Sequence, residues 1–304
     1  MLCFKGSRPG SPYPESTDNE GLMTFLATLQ RYKFPLSGVI LLLAALYWRI
    51  IPDMVQQWYQ DENYSHGFIV PVIAGYFLWQ RWPDLKNTRV EPSNLGLAVI
   101  AWGLLQLLIA WFCTEYFSMR SSLIVLLAGV TLYLFGKGVL KEMALPLGYL
   151  FFMVPIPYII YDMVAFPLKL FVTKISVEFL RILGVVVIRE GNIIMFPMTT
   201  LEVADACSGV RSLFSLLAIA VAYIFLIKMS VLRRWIIVLS AVPIAVSANA
   251  LRVIITGILA QWWGEKAAEG FFHEFAGMVI FLLAMVMLVV FGEFLRRIGR
   301  TTHD

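Results

Sequence analysis

The sequence predicts an all-α polytopic membrane protein with about eight transmembrane helices. Hydrophobic residues make up 60% of the 304-residue chain, charged residues only 14%, and the mean hydropathy is +0.78. Apolar runs long enough to cross a hydrocarbon core of ~30 Å recur along the chain, and basic residues follow alternate runs. This composition excludes a soluble domain of the same length.

The chain is predicted to form one transmembrane domain, residues 36–297, between two cytoplasmic tails, residues 1–35 and 298–304. The first tail is polar, rich in Gly, Pro and Ser, and has no apolar core with a cleavage site, so we expect it to be disordered and not a signal peptide. The predicted spans are residues 36–51, 67–82, 95–113, 121–136, 143–157, 208–227, 235–262 and 274–294. The fifth span is the least regular, because it contains Pro146, Pro155 and Pro157.

The charges between the spans orient them. Basic residues follow every even-numbered span: Arg81, Lys86 and Arg89; Lys137 and Lys141; Lys228, Arg233 and Arg234; Arg296, Arg297 and Arg300. The loops on the other side carry the acidic residues Asp53, Asp61, Glu62, Glu265 and Glu269. By the positive-inside rule, both termini are cytoplasmic. The net charge of +4 comes from helix ends and forms no continuous patch, so nucleic acid is not a predicted partner.

Residues 158–206 form the one large insert predicted on the outer face. In its first half an apolar stripe recurs at helical spacing, which predicts an amphipathic helix lying in the membrane interface. This stripe consists of Leu168, Phe171, Ile175, Phe179 and Ile182. The second half is rich in β-branched residues around Gly191-Asn192, and it predicts a short β-hairpin.

Three reactive side chains are predicted at one depth. Counted inward from the basic anchors at 1.5 Å per residue, Cys207, Arg252 and His273 lie ~31, ~26 and ~34 Å from the inner boundary. Three separate helices therefore deliver a thiol, a guanidinium and an imidazole to the outer surface within ~8 Å of depth.

Each of the three also has an ordinary structural explanation. A buried cysteine usually behaves as a small hydrophobic residue, and Cys207 has the further alternative of a disulfide with Cys113. Arg211 and Arg252 could be snorkelling anchors. His273 could be an ordinary interfacial residue, and His66 could merely precede the second span.

Chemistry favours a catalytic role for Cys207. A thiol is a nucleophile only as thiolate, and the first turn of a helix lowers its pKa through unpaired N–H groups and the helix dipole. Ser208 leaves these groups accessible, and Arg211 adds a cation one turn later. His273 suits the general base and acid, whereas Arg252 is too basic for proton transfer and suits an oxyanion or a carboxylate. Asp205 and Glu202 suit helix capping or holding the cations in place.

Four short motifs then resemble the exosortase/archaeosortase family, in the family's order and at the matching helix ends. They are "SHG" at 65–67, "DACSGVR" at 205–211, "NALR" at 249–252 and "FFH" at 271–273. The resemblance spans about residues 60–290. It implies an integral membrane cysteine transpeptidase whose Cys, Arg and His are Cys207, Arg252 and His273. Asn249 and His66 enter as supporting residues of their motifs.

The resemblance also implies the substrates and the location. Exosortases are thought to cleave proteins that carry a short C-terminal motif, often Pro-Glu-Pro, then a transmembrane helix and a basic tail. The histidine in the third role implies the bacterial branch, and therefore the inner membrane with the site on its outer face. The chain is similar to the short form, which has no fused soluble domain. The acceptor is unknown, and no cofactor or metal is predicted.

Two alternatives remain open at the level of sequence. Charged residues within helices often line transport pathways, so a polysaccharide transporter or a flippase for lipid-linked sugars is the second interpretation. A membrane scaffold without chemistry is the third, and it leaves the convergence of Cys207, Arg252 and His273 unexplained. Arg181 and Arg189 of the outer insert are candidate contacts for an acidic residue in the substrate motif.

Overall fold

The structure is a computed structural model that describes residues 23–197, 199–203, 209–227, 229–263 and 271–298. The α-helices of these residues are α1 (Phe25–Arg31), α2 (Lys33–Leu46), α3 (Ile50–Gln60), α4 (Ile69–Leu85), α5 (Leu95–Phe112), α6 (Tyr116–Tyr149), α7 (Tyr158–Ile182), α8 (Val210–Leu226), α9 (Val231–Trp263) and α10 (Phe271–Ile298). A first 3-10 helix (Glu62–Phe68) precedes α4, and a second (Leu150–Met153) follows α6. Three short strands lie between α7 and α8: β1 (Ile188–Glu190), β2 (Ile193–Met195) and β3 (Thr200–Glu202).

The multi-pass helical architecture agrees with the sequence, but the count of eight spans is not confirmed. Among the described residues four helices are long and apolar enough to cross a membrane: Leu95–Phe112, Tyr116–Met153, Val231–Leu259 and Phe275–Ile298. The pair α1–α2, bent by 85°, makes a fifth if it is taken as one span. Helix α8 is apolar but has only 17 residues.

The predicted spans 121–136 and 143–157 largely fall within one long helical run, α6. This run is broken at Gly136, where φ is 86° and ψ is −176°. A Cβ at this position would lie 1.8 Å from the carbonyl oxygen of Glu91, so only glycine fits the break. The break lies at the last residue of the predicted span 121–136, so it divides α6 into two helical parts, as the two predicted spans suggested.

Helical structure begins earlier than the sequence predicted. Residues 25–35 lie in α1 and the start of α2, although they were expected to belong to the disordered tail; residues 1–22 lie outside the described residues. The predicted span 36–51 is also interrupted, because α2 ends at Leu46 and α3 starts at Ile50. Between them Tyr47 is fully buried, and its hydroxyl hydrogen-bonds to Ser122 of α6 at 2.5 Å.

The insert between α6 and α8 contains the predicted amphipathic helix, α7. One face of α7, including Val172, Val177 and Leu180, is buried against α9 and the strands. The predicted stripe is mainly exposed, with Phe171, Ile175, Phe179 and Ile182 on the protein surface, as expected for a face that contacts lipid. The predicted hairpin turns at Gly191-Asn192, but a third strand extends it into an antiparallel sheet of order β1-β2-β3.

Helices α8, α9 and α10 share one apolar core. Its fully buried members include Leu216 of α8, Ile237 and Ala241 of α9 and Leu288 of α10. Alanines on α9 keep the side chains between these helices short, so the helix axes approach closely. This packing fixes the relative positions of the three helices that carry the predicted catalytic motifs.

Candidate active site

The start of α8 is fixed against α9 by a glycine. Gly209 is the N-cap residue of α8 and has the left-handed conformation, with φ 78° and ψ −1°. A Cβ at this position would lie 2.9 Å from both Cβ and Cγ of Asn249. Asn249 is itself 3% exposed. The "CSG" and "NALR" motifs therefore meet at this contact between Gly209 and Asn249.

A second glycine joins α9 to α10. Arg252 is 7% exposed, and a Cβ at Gly277 of α10 would lie 3.1 Å from its Nη2 atom and 3.2 Å from Cζ. The absence of a side chain at Gly277 leaves the space that the guanidinium occupies. His273 belongs to the first turn of α10, one turn before Gly277, and its side chain lies outside the described part of the structure.

These contacts border a cavity of about 330 Å³, which we call the site cavity. It is formed by the first 3-10 helix, α8, α9 and α10, and its lining residues are Glu62, Ser65, Arg211, Ser212, Ser215, Ala248, Asn249, Arg252, Gly277, Met278, Ile280, Phe281 and Ala284. Three predicted site residues, Arg211, Asn249 and Arg252, thus line one cavity. Cys207, Asp205 and Ser208 lie outside the described residues.

The charges of the site cavity come from two arginines and one glutamate. Arg211, in the first turn of α8, forms an ion pair with Glu62 of the first 3-10 helix. The Arg211 side chain is about one third exposed, at 30%, and that of Glu62 is 71% exposed. Sequence analysis placed Glu62 only in an acidic loop; 149 residues separate it from Arg211, so no local pattern could have predicted the pair.

The "SHG" motif supplies one wall of the site cavity and a tight packing contact. Ser65 lines the cavity, and a Cβ at Gly67 would lie 2.5 Å from the indole Nε1 of Trp58. The same Nε1 donates a hydrogen bond of 2.9 Å to the carbonyl oxygen of Met153. Gly67 therefore packs the first 3-10 helix against Trp58 of α3, and Trp58 in turn is hydrogen-bonded to the second 3-10 helix.

His66 lies half-buried behind this wall and does not line the site cavity. Burial lowers the pKa of its imidazole below the ordinary value, and the backbone groups of Phe152 and Asn63 oppose this effect. His66 is therefore neutral at pH 7.

The remaining predicted residues lie away from the site cavity. Glu202, on β3, accepts a hydrogen bond of 3.2 Å from the side chain of Asn192. Arg181 pairs with Glu178 on α7 at 3.1 Å, and Arg189 donates to the Gly191 carbonyl at 3.4 Å. Cys113 is exposed and has a free thiol, and Cys207 lies outside the described residues.

A second polar cavity, which we call the Arg120 cavity, adjoins the first and shares Glu62 with it. Its lining residues are Asp53, Gln56, Gln57, Gln60, Asp61, Glu62, Tyr116, Arg120 and Tyr158. Arg120 is 7% exposed; its Nη1 donates to the Gln57 side chain, and its Cζ lies 5.5 Å from the centre of the Tyr116 ring. The hydroxyl of Tyr158 donates to Asp61 at 3.0 Å, and both burial and this carboxylate raise the pKa of Tyr158.

Comparison with known proteins gives one match. The model of the family described as transmembrane exosortase matches residues 58–290, which run from the end of α3 to the last part of α10. No curated protein and no solved structure matches the chain significantly. The matched region includes every described residue that lines the site cavity.

Proposed function

Since the chain belongs to the transmembrane exosortase family, we propose that it is a membrane cysteine transpeptidase that cleaves C-terminal sorting signals of membrane-anchored proteins. The substrate's own helix holds its cleavage site at the membrane surface, at the depth proposed for Cys207. Such anchoring supplies part of the proximity that catalysis requires. The site is proposed to face outward from a bacterial inner membrane, with both termini in the cytoplasm.

One observation carries this proposal. The contact between Gly209 and Asn249 fixes the residue that follows the "CS" dipeptide, and the contact between Gly277 and Arg252 fixes the first turns of the helix that contains His273. Asn249, Arg252 and Gly277 all line one cavity, and Gly209 contacts Asn249. Ser65, Arg211, Asn249 and Arg252, which belong to three of the quoted motifs, line the same cavity, and this supports a shared catalytic role.

The proposed chemistry has two halves. His273 takes the proton of the Cys207 thiol, the thiolate attacks the scissile carbonyl carbon, and the guanidinium N–H groups of Arg252 stabilise the oxyanion that forms. The tetrahedral intermediate then expels the amine of the substrate's C-terminal segment, which takes this proton from His273. An acceptor nucleophile, or water, gives a proton to His273 as it attacks the resulting thioester, and the Cys207 thiolate leaves.

The cavity suggests how the supporting residues contribute. Arg211 favours the Cys207 thiolate through its positive charge, and Glu62 limits this effect because it pairs with the same guanidinium. Asn249 acts as a positioning residue, since its buried side chain sets where the "SG" turn lies.

The transporter interpretation receives less support. The site cavity and the Arg120 cavity share Glu62, so they lie at the same end of the helices. A one-sided arrangement of polar side chains suits chemistry at a membrane surface better than a path through the membrane.

The test is to trap the covalent conjugate between the enzyme and its substrate. Cells that express the protein with a substrate bearing a C-terminal motif, helix and basic tail are denatured rapidly, and the substrate attached to the enzyme is treated with neutral hydroxylamine, which cleaves thioesters. We expect a hydroxylamine-sensitive conjugate with the natural enzyme and full-length substrate with Cys207→Ala. Cys113→Ala, which removes an exposed free thiol away from the cavity, is the matched control and should cleave normally. Normal cleavage by Cys207→Ala would refute the transpeptidase and favour the transporter.

A further inference from the structure

At the end of the first part of α6, beside the break at Gly136, lies an apolar groove of about 390 Å³. It is bordered by the bend between α1 and α2, by the loop before α5 and by the part of α6 just before the break. The lining residues are Met23, Thr28, Tyr32, Pro35, Leu36, Val39, Val90, Pro92, Leu134 and Phe135. We call it the elbow groove.

Backbone hydrogen bonds and aromatic packing hold the elements around the elbow groove together. The backbone N–H of Phe25 donates to Thr88 at 2.9 Å, and that of Val90 donates to Met23 at 2.9 Å. The Phe25 ring is buried and packs edge-on against Phe135, with centroids 4.9 Å apart. These contacts hold α1 against the loop after α4, and α2 leaves at the bend of 85°. The groove is therefore a fixed feature of the fold.

One basic side chain, that of Arg31, contacts residues that line the elbow groove, and three other basic residues are close to lining residues in sequence. The Arg31 Nη1 atom lies 4.0 Å from the Met23 sulfur, and its Cζ lies 5.7 Å from the centre of the Tyr32 ring, so this guanidinium sits on two lining residues. Lys33, Arg89 and Lys137 each follow or precede a lining residue by one or two positions. None of these four cations has a carboxylate partner in the part of the chain that the structure describes. The nearest acidic residue in sequence is Glu91, which gives the rim an excess of positive charge.

The apolar walls and the cations at the rim indicate which kind of molecule binds in the elbow groove. Apolar walls favour an acyl chain, and the cations at the rim favour a phosphate group at the depth where lipid headgroups lie. A neutral lipid would leave the rim without a counter-charge. A second copy of this chain would bring two positive rims together. A soluble anion would leave the apolar walls in water.

We propose that the elbow groove binds one anionic phospholipid of the leaflet at that end, with an acyl chain between α2 and α6 and the phosphate on Arg31 and its basic neighbours. The lipid fills the space between the elbow and the α5–α6 pair, so its binding stabilises the folded protein. This site is separate from the proposed catalytic chemistry and does not depend on it.

The experiment measures thermal unfolding of the full-length protein in detergent while lipid is added. The probes are phosphatidylglycerol and phosphatidylcholine with identical acyl chains, so that they differ in headgroup charge alone. We expect phosphatidylglycerol to raise the melting temperature by about 5 °C near saturation, and phosphatidylcholine to have little effect. An equal rise with both lipids would overturn the proposal.

Two variants test separately how the rim charges and the apolar walls contribute to lipid binding. Arg31→Glu with Lys33→Glu should abolish the rise, whereas Lys174→Glu, a charge reversal at an exposed residue of α7, should retain it. Val39→Trp fills the groove and should also abolish the rise while leaving the rim charges in place. If the rim variant unfolds, native mass spectrometry of the Val39→Trp protein still decides the matter. Retention of phosphatidylglycerol by that protein at the natural level would contradict the proposed site.

Discussion

Arg120 and Arg252 are equally buried arginines beside two adjoining cavities, and they have different surroundings. Each side chain is 7% exposed. The guanidinium of Arg120 is held by the Gln57 amide and the Tyr116 ring, and it links α6 to α3. That of Arg252 lies where Gly277 leaves space for it, on the wall of the site cavity.

Burial alone does not show whether an arginine has a structural or a catalytic role. A buried cation is costly unless neighbouring groups compensate it, so both arginines must be compensated, and burial does not distinguish structure from catalysis. The neighbours do distinguish them. The guanidinium of Arg120 donates to an amide and lies near an aromatic ring, which suits a structural role, whereas Arg252 lines the site cavity, where we propose that the substrate binds.

The largest expected effect is that of Arg252→Ala on turnover. If Arg252 stabilises an oxyanion, its removal should lower kcat by about 10²–10³-fold, because the interaction strengthens only in the transition state. KM should change little. Arg252→Lys should recover part of the loss, since lysine keeps the charge but lacks the planar fork.

Arg252 should be measured beside Arg120, with cleavage rate and unfolding both recorded for each variant. A rate loss in Arg252→Ala that merely follows a loss of folded protein would assign Arg252 the same bracing role as Arg120.

Arg120→Ala should lower the stability of the protein and leave its turnover nearly unchanged. Removing this side chain leaves the side-chain oxygen of Gln57 without its donor and should lower the free energy of unfolding by about 1–3 kcal/mol. Turnover per folded molecule should stay near the natural value. Denaturant or thermal unfolding in detergent measures the first effect, and active-site titration measures the second. A stable Arg120→Ala protein with a large kcat defect would place the Arg120 cavity in the reaction.

Three residues that the sequence placed in the site line one cavity, whereas the predicted count of eight membrane spans is not confirmed. Arg211, Asn249 and Arg252 occur in short motifs at helix ends, and packing brings those ends to one cavity. Glu62 and Arg120 were missed because their partners, Arg211 and Gln57, lie 149 and 63 residues away in the chain. Contacts at such separations depend on the fold, and a local pattern does not contain them.

The same reasoning explains the errors in the fold. Helices α5, α8, α9 and α10 lie close to their predicted spans, because a long apolar run between polar ends determines each of them. Buried Tyr47 separates α2 from α3 within the predicted span 36–51, and its hydroxyl hydrogen-bonds to Ser122 of α6. Hydropathy averages over such single contacts, so it could not yield the observed segments.

A smaller effect is expected from Gly277→Ala. The added Cβ would lie 3.1 Å from the Arg252 Nη2 atom, so the guanidinium must shift by a few tenths of an ångström. Because catalysis is sensitive to such displacements, we expect kcat to fall by about 10-fold with little change in melting temperature. Gly75→Ala on α4 is the matched control, since no atom lies within 4 Å of the added Cβ. Equal kcat values for the two variants would show that the position of Arg252 is not critical.

The smallest effect concerns His66, in the 3-10 helix that separates the two cavities. Burial lowers the pKa of His66 in the folded protein relative to the unfolded chain. Between the folded pKa and the ordinary value of about 6.5, the unfolded chain binds a proton that the folded protein does not. Stability is therefore complete above about pH 6.5 and decreases as the pH falls below it. Melting temperatures recorded from pH 7.5 to 5 should decline less for His66→Gln than for the natural protein. If the melting temperatures of the two proteins fall in parallel with pH, His66 is not the source of the acid sensitivity. Its protonation would then not disturb the 3-10 helix between the Arg120 cavity and the site cavity.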